Sequence, residues 1–240
     1  MEFDIQDHYR EIENKITDDK KRVHRENDEV NLVVVTKFKS AENVRTVVGA
    51  GARILGENYP EETQRKISEL GETALQVDWH MIGHLQSRKI KYIVEHFSMI
   101  HSIDSLEIAR ELNKKLIESG KSMKALFEVN VSGEESKHGF TAWQTELWPS
   151  LVEQWLSLQK EIPALNFVGL MTMPPYAQKA EDSRIYFKKC RELLAFCQSR
   201  MQNPSFKELS MGTSLDYEVA IEEGATYIRI GEAIMGKREY

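Results

Sequence analysis

Short apolar, β-rich runs alternate with longer amphipathic stretches along the chain. The runs fall at residues 32–36, 53–57, 78–83, 99–103, 124–129, 166–171, 208–211 and 227–230, and their length and side-chain types predict strands. Each gap between consecutive runs holds helical periodicity or a helix-start signal. Residues 105–119 predict a helix closed by Gly120. Residues 181–201 predict another, with Ile185, Leu193, Leu194 and Phe196 on one buried stripe. The polar opening predicts a helix over about residues 4–27, so that residues 1–28 form an N-terminal helix packed on the rest. No low-complexity linker interrupts the alternation, and residues 1–240 are expected to form a single domain.

Strands separated by helices run parallel, and eight such units close into a single (β/α)8 TIM barrel, which suits 240 residues. The runner-up is an open doubly wound sheet. It calls for a glycine-rich GxGxxG turn after the first strand, where this chain has Thr36-Lys37-Phe38-Lys39-Ser40.

Composition narrows the classes. With 41% apolar residues and 13 glycines the chain can build a hydrophobic core, which excludes disorder as its main state. A net charge of −6 argues against a nucleic-acid binder that needs a basic face. No run approaches the roughly 18 apolar residues of a membrane span, and the opening MEFDIQDHYREIENK is charged where a signal peptide is apolar, so no membrane association and a cytoplasmic location are expected. Cys190 and Cys197 would lie about 10 Å apart along a helix, too far for a disulfide, and read as core thiols. No CxxC, HExxH or other spaced ligand set occurs, so no metal site is expected.

In a barrel of this kind the active site gathers at the C-terminal strand ends. Those ends carry Lys37, Glu57 with Asn58, His84, Asp104, Asn130, Thr172, Ser210 with Gly212 and Ser214, and Arg229 with Gly231. Lys37 follows four apolar residues; an amine desolvated there would have the depressed pKa that suits attack on an aldehyde, whereas a lysine that only ends the strand snorkels to water. Lys39 and Lys137 read as solvated. The segments LSMGTS (209–214) and RIGEAIMG (229–236) place small residues and backbone N–H groups after the last two strands, the recurrent phosphate cradle of this fold. Ser214 reads equally as a helix N-cap, and the glycines as turn formers. Arg229 lies between Ile228 and Ile230 and, turned inward, needs an acceptor; a structural ion pair with Glu57 or Asp104 is the alternative. His84 reads as a structural histidine or an acid/base, and Asp104 as a cap for the next helix. The loop SGEESKHGF (132–140) and the tryptophans Trp143, Trp148 and Trp155 predict a mobile loop followed by a packed helix.

Taken in order, VVVTKFKS, GENY, WHMIGHLQSRKIK, HSIDS, EVNVSGEESKHGF, GLMTM and LSMGTSLDYEVAIEEGATYIRIGEAIMG resemble the pyridoxal phosphate homeostasis protein family, which is related to the N-terminal barrel of alanine racemase. The resemblance runs from about residue 30 to the C-terminus. It implies pyridoxal 5′-phosphate (PLP) carried as a Schiff base, an internal aldimine, on Lys37, with Arg229 by the pyridine nitrogen. Ser210, Gly212, Ser214 and Gly231 match phosphate-binding segments, and Asn58, His84 and Met211 match positions lining the pocket. Thr213 and Met173-Pro174-Pro175 depart from the family pattern. The expected function is PLP binding and homeostasis with little or no turnover, serving the free pool or apo PLP-dependent enzymes transiently, as a monomer. The sequence stops soon after the eighth strand, so the racemase's second domain and its tyrosine are expected to be absent. The alternatives are a PLP-dependent racemase using Lys37 and His84, and a sugar-phosphate isomerase on the same barrel.

Overall fold

The computed structural model describes residues 4–237. The chain runs α1 (Ile5–Arg22), β1 (Asn31–Val35), α2 (Ala41–Ala50), β2 (Ile54–Glu57), α3 (Pro60–Leu70), β3 (Asp78–Met81), α4 (Ile90–His96), β4 (Met99–Ile103), α5 (Leu106–Glu118) and β5 (Met123–Asn130). It continues with β6 (Phe140–Thr141), α6 (Trp148–Glu161), β7 (Leu165–Met171), α7 (Arg184–Met201), β8 (Glu208–Ser210), α8 (Tyr217–Glu222), β9 (Tyr227–Ile230) and α9 (Glu232–Met235). Parallel pairing passes from β1 through β5 to β7, β8 and β9, and β9 pairs again with β1, which closes the expected eight-stranded barrel. The short β6 on the end of β5 is additional to the expected strands.

Side chains alternate across each strand, the alternation shifting by one residue in β7, where its register with β5 slips between Phe167 and Gly169. Val33, Met99, Leu126, Val168, Met171 and Tyr227 pack together inside the barrel with Ile54 and Ile82. Val34, Leu55, Ile100, Phe127, Leu170 and Ile228 face outward into the helix layer. There Phe127 stacks between Trp155 and Phe167, with ring centroids 4.2 and 3.7 Å away. The same parity carries His80, His101, Glu128, Ser210 and Arg229, each buried, on the inward side of their strands.

Asp4 caps α1 by accepting from the Gln6 and Asp7 N–H groups. Its apolar stripe, Ile5, Tyr9, Ile12 and Ile16, is buried where α1 packs on α2, α8 and α9. Beyond it, Arg25 donates to the Ile221 and Ala225 carbonyls. The buried stripe of α7 is Phe187, Cys190, Leu193, Leu194, Cys197 and Met201. Ile185, expected in that stripe, is 67% exposed, because it lies two positions before Phe187 and so on the other side of the helix. Both cysteines are buried, and burial pushes both thiols well above their ordinary pKa. Among the described residues no helix is long and apolar enough to cross a membrane.

Candidate functional site

A cavity of about 530 Å3 opens at the C-terminal mouth, lined among others by Lys37, Lys39, Asn58, Ser214, Arg229 and Gly231. Five of the nine expected site residues therefore meet there. Ser210 and Gly212 meet Arg229 behind the lining, through the Ser210 hydroxyl and the Gly212 carbonyl, Met211 is buried in the outer core, and His84 stands apart.

Lys37 is half-buried in the turn that ends β1. That turn closes through the Lys39 N–H to the Thr36 carbonyl, at 3.1 Å, and holds Phe38 at φ 61°, a left-handed conformation costly for a side chain with a Cβ. Glu57, expected at the mouth, faces outward instead. Its Oε1 accepts from Thr36 Oγ1 at 2.7 Å and from Lys66 Nζ at 2.5 Å. Desolvation raises its pKa, against which the Lys66 ammonium acts. Lys39, expected to be solvated, is half-buried and donates to the Lys237 carbonyl at 2.7 Å.

Arg229 projects inward, but it pairs with neither Glu57 nor Asp104. Its Nη1 donates to Ser210 Oγ at 2.6 Å and its Nη2 to the Thr172 carbonyl at 3.1 Å. Burial lowers its pKa to about 10, with Asp216 and Glu128 acting in the opposite sense, so the cation persists at neutral pH. A guanidinium cannot accept, so the Ser210 proton goes to His101 Nδ1, 2.8 Å away. The His101 Nε2 proton in turn goes to His80 Nδ1, at 3.0 Å. Both imidazoles are neutral: burial lowers His80 to about 3 and His101 well below the ordinary range.

The loops after β8 and β9 are tied by Ser214, whose Oγ accepts from the Ala233 N–H at 3.4 Å. Ser214 is thus not the cap of α8, a place taken by Asp216. The Thr213 N–H and hydroxyl both donate to Asp216 Oδ1, at 2.7 and 3.0 Å, so this hydroxyl shapes the loop. Gly212 has φ 93°, and a Cβ there would lie 2.6 Å from Ala220 Cβ. A Cβ on Gly83 would meet Asn58 at 2.8 Å, so the end of β3 leaves room only for Asn58. Asn58 Oδ1 is buried and has no hydrogen-bond partner.

His84 Nδ1 lies 2.8 Å from Asp104 Oδ2, and its ring stacks on His138, centroids 4.4 Å apart and planes 15° apart. The ligand atoms of His84, Asp104 and His138 lie within 4.8 Å of one another. Nearly parallel stacked rings, however, keep the lone pairs of the two imidazoles in separate planes, so they do not converge on one ion. Ser105, not Asp104, caps α5, through the Ile108 N–H. Asn130 folds the following loop by accepting from Ser132 and Gly133 and donating to the Glu134 carbonyl. Lys137 on that loop, expected to be solvated, is half-buried. Trp148 and Trp155 are buried in α6, whereas Trp143 is 43% exposed.

Glu128, His80 and His101 lie within strands, not at their ends, and so are absent from the strand-end residues. Strand parity is the signal that finds them, since each is a polar side chain at an inward position of an apolar run. Met173, Tyr176 and Leu215, which rim the cavity and are exposed, carry no such signal.

Residues 10–239 match the family described as alanine racemase, N-terminal domain, and fold and site together define a barrel of that class. The chain is 39% identical over 209 residues to the pyridoxal phosphate homeostasis protein of Aquifex aeolicus, covering 87% of each. To the protein of that name from Escherichia coli it is 36% identical over 241 residues, covering 99% of this chain and 98% of the other. It belongs to the pyridoxal phosphate homeostasis protein family. The solved structure of PipY from Synechococcus elongatus with PLP bound matches at TM-score 0.80 and 31% identity, over 97% of this chain and 100% of that one.

Proposed function

We propose that this protein binds PLP at the mouth of the barrel and serves PLP homeostasis, with the barrel and α1 acting as one PLP-binding domain. The carrying observation is that a primary amine, a buried permanent cation and a half-buried amide share one cavity: Lys37, Arg229 and Asn58. Ser214 and Gly231 line the same cavity, and the hydroxyl and backbone donors there suit a phosphate. Bound PLP supplies an aldehyde that condenses reversibly with amines and a ring that can take up an electron pair.

Lys37 is the amine to which we assign the covalent link. Arg229 remains a donor at any accessible pH, so against a pyridine nitrogen it disfavours ring protonation and keeps the ring a shallow electron sink. That accounts for a carrier with little or no turnover, which holds the reactive aldehyde away from stray amines and releases it to the free pool or to apo-enzymes. His84, held by Asp104 and stacked outside the cavity lining, is poorly placed to act as a second acid/base.

The test is spectroscopic. Purified protein mixed with PLP should show a visible absorbance band that borohydride fixes on Lys37, located by peptide mass spectrometry. A Lys37→Ala variant that retains the band overturns the assignment. Deuterium exchange at the α-carbon across a panel of amino acids should stay at the level of free PLP; turnover well above it would make the protein a racemase.

A further inference from the structure

Both neighbours of Lys37 in the chain are held from behind by one cluster. The Lys66 ammonium, 4% exposed, has three N–H groups and three acceptors: the Thr36 carbonyl at 2.7 Å, Glu57 Oε1 at 2.5 Å and Glu62 Oε1 at 3.1 Å. Glu57 Oε1 also takes the Thr36 hydroxyl. Glu62 Oε1 also takes the Phe38 N–H, at 2.8 Å. The carbonyl and hydroxyl on one side of Lys37 and the amide on the other thus end on a single buried ion-pair network carried by β2 and α3. The turn it holds is strained at Phe38, so the network supplies the interactions that keep this conformation populated.

We propose that Glu62 and Lys66 are positioning residues for Lys37: they fix the turn so that its amine faces the cavity before any ligand arrives. The inference rests on the assignment of Lys37 above. Attachment would need no further reactant: the Lys37 nitrogen would take the place of the aldehyde oxygen, which would leave as water with the two amine hydrogens. The network's contribution is preorganisation, which removes the ordering cost of the turn from the binding step.

Lys66 is a poor site for the test, because its removal strands Glu57, which is fully buried, and endangers the fold. Glu62 is part-exposed and separates the effects. Glu62→Ala and Glu62→Gln remove the same negative charge, which alone should favour an anionic ligand, but only the glutamine keeps an oxygen to accept the Phe38 N–H. Two measurements on the full chain decide. In the protein without PLP, amide hydrogen exchange at Phe38 should rise about tenfold in Glu62→Ala, as expected for the loss of one charge-assisted hydrogen bond. Glu62→Gln should return it to within about threefold of wild type. PLP affinity, titrated by the visible band, should weaken about tenfold in the alanine variant and recover in the glutamine variant. Unchanged exchange or unchanged affinity in Glu62→Ala overturns the proposal, as does a glutamine variant that behaves like alanine. A wild-type protein without a borohydride-fixable band is a different result, and would remove the assignment of Lys37 itself.

Discussion

Glu128 shows how much a single inward carboxyl can carry. It lies on β5, 8% exposed, and desolvation first, then the nearby charge of Asp104, raise its pKa to about 7, with Arg229 acting against them. Unfolded, the group titrates near 4.5. Below that pH both states hold the proton and Glu128 has no effect on stability. Between the two values the folded chain keeps a proton that the unfolded chain releases, so stability falls as pH rises, by up to about 3 kcal/mol once pH exceeds 7. Glu128→Gln should therefore raise the urea midpoint at pH 8 and change it far less at pH 4.5. Equal midpoints for the two proteins at pH 8 would mean that Glu128 ionises in the fold without penalty.

Among the elements, α1 and the loops after β8 and β9 do separate jobs. The apolar stripe of α1 packs on α2, α8 and α9, and none of its residues lines the cavity. Ile12→Ala should then cost about 2–4 kcal/mol of unfolding free energy, read from denaturant titration, with PLP affinity unchanged. A matching loss of affinity would place α1 in the binding machinery. The loops behave differently, since Ser214 joins one to the other and Asp216 stiffens the first through Thr213. Thr213 also lines the cavity, but its N–H and hydroxyl are both spent on Asp216 within its own loop.

At the scale of the molecule, a ligand bound only by the folded barrel must stabilise it. With free PLP at about 100 times its dissociation constant the gain is about 2.7 kcal/mol. Thermal unfolding should shift upward with PLP concentration in the wild type and by much less in Lys37→Ala, where only the noncovalent contacts remain. An equal shift in both would show that covalent attachment adds nothing to affinity. The barrel is also polar along part of its axis, where His80, His101 and Ser210 lead to Arg229. Those bonds hold the guanidinium without any carboxylate ion pair among the described residues, which leaves its charge directed at the cavity.

The sequence by itself determined what is local. Short apolar, β-rich runs located the eight strands, helical gaps made them parallel, and counting to the ends of the runs put Lys37, Asn58, Ser214, Arg229 and Gly231 at one mouth. The tertiary structure alone decided which side chains meet. Ser210 and His101 are 109 residues apart, and Arg229 and Thr172 are 57 apart. Strand parity shows that Ser210, His101 and Arg229 face inward but cannot tell which level of the barrel each reaches, because that depends on the stagger adopted when β9 closes on β1. Glu57 shares the outward parity of Leu55, but only the packing of α3 on β2 gave it Lys66 as its partner, as only the approach of the β3 and β4 ends gave His84 its contact with Asp104.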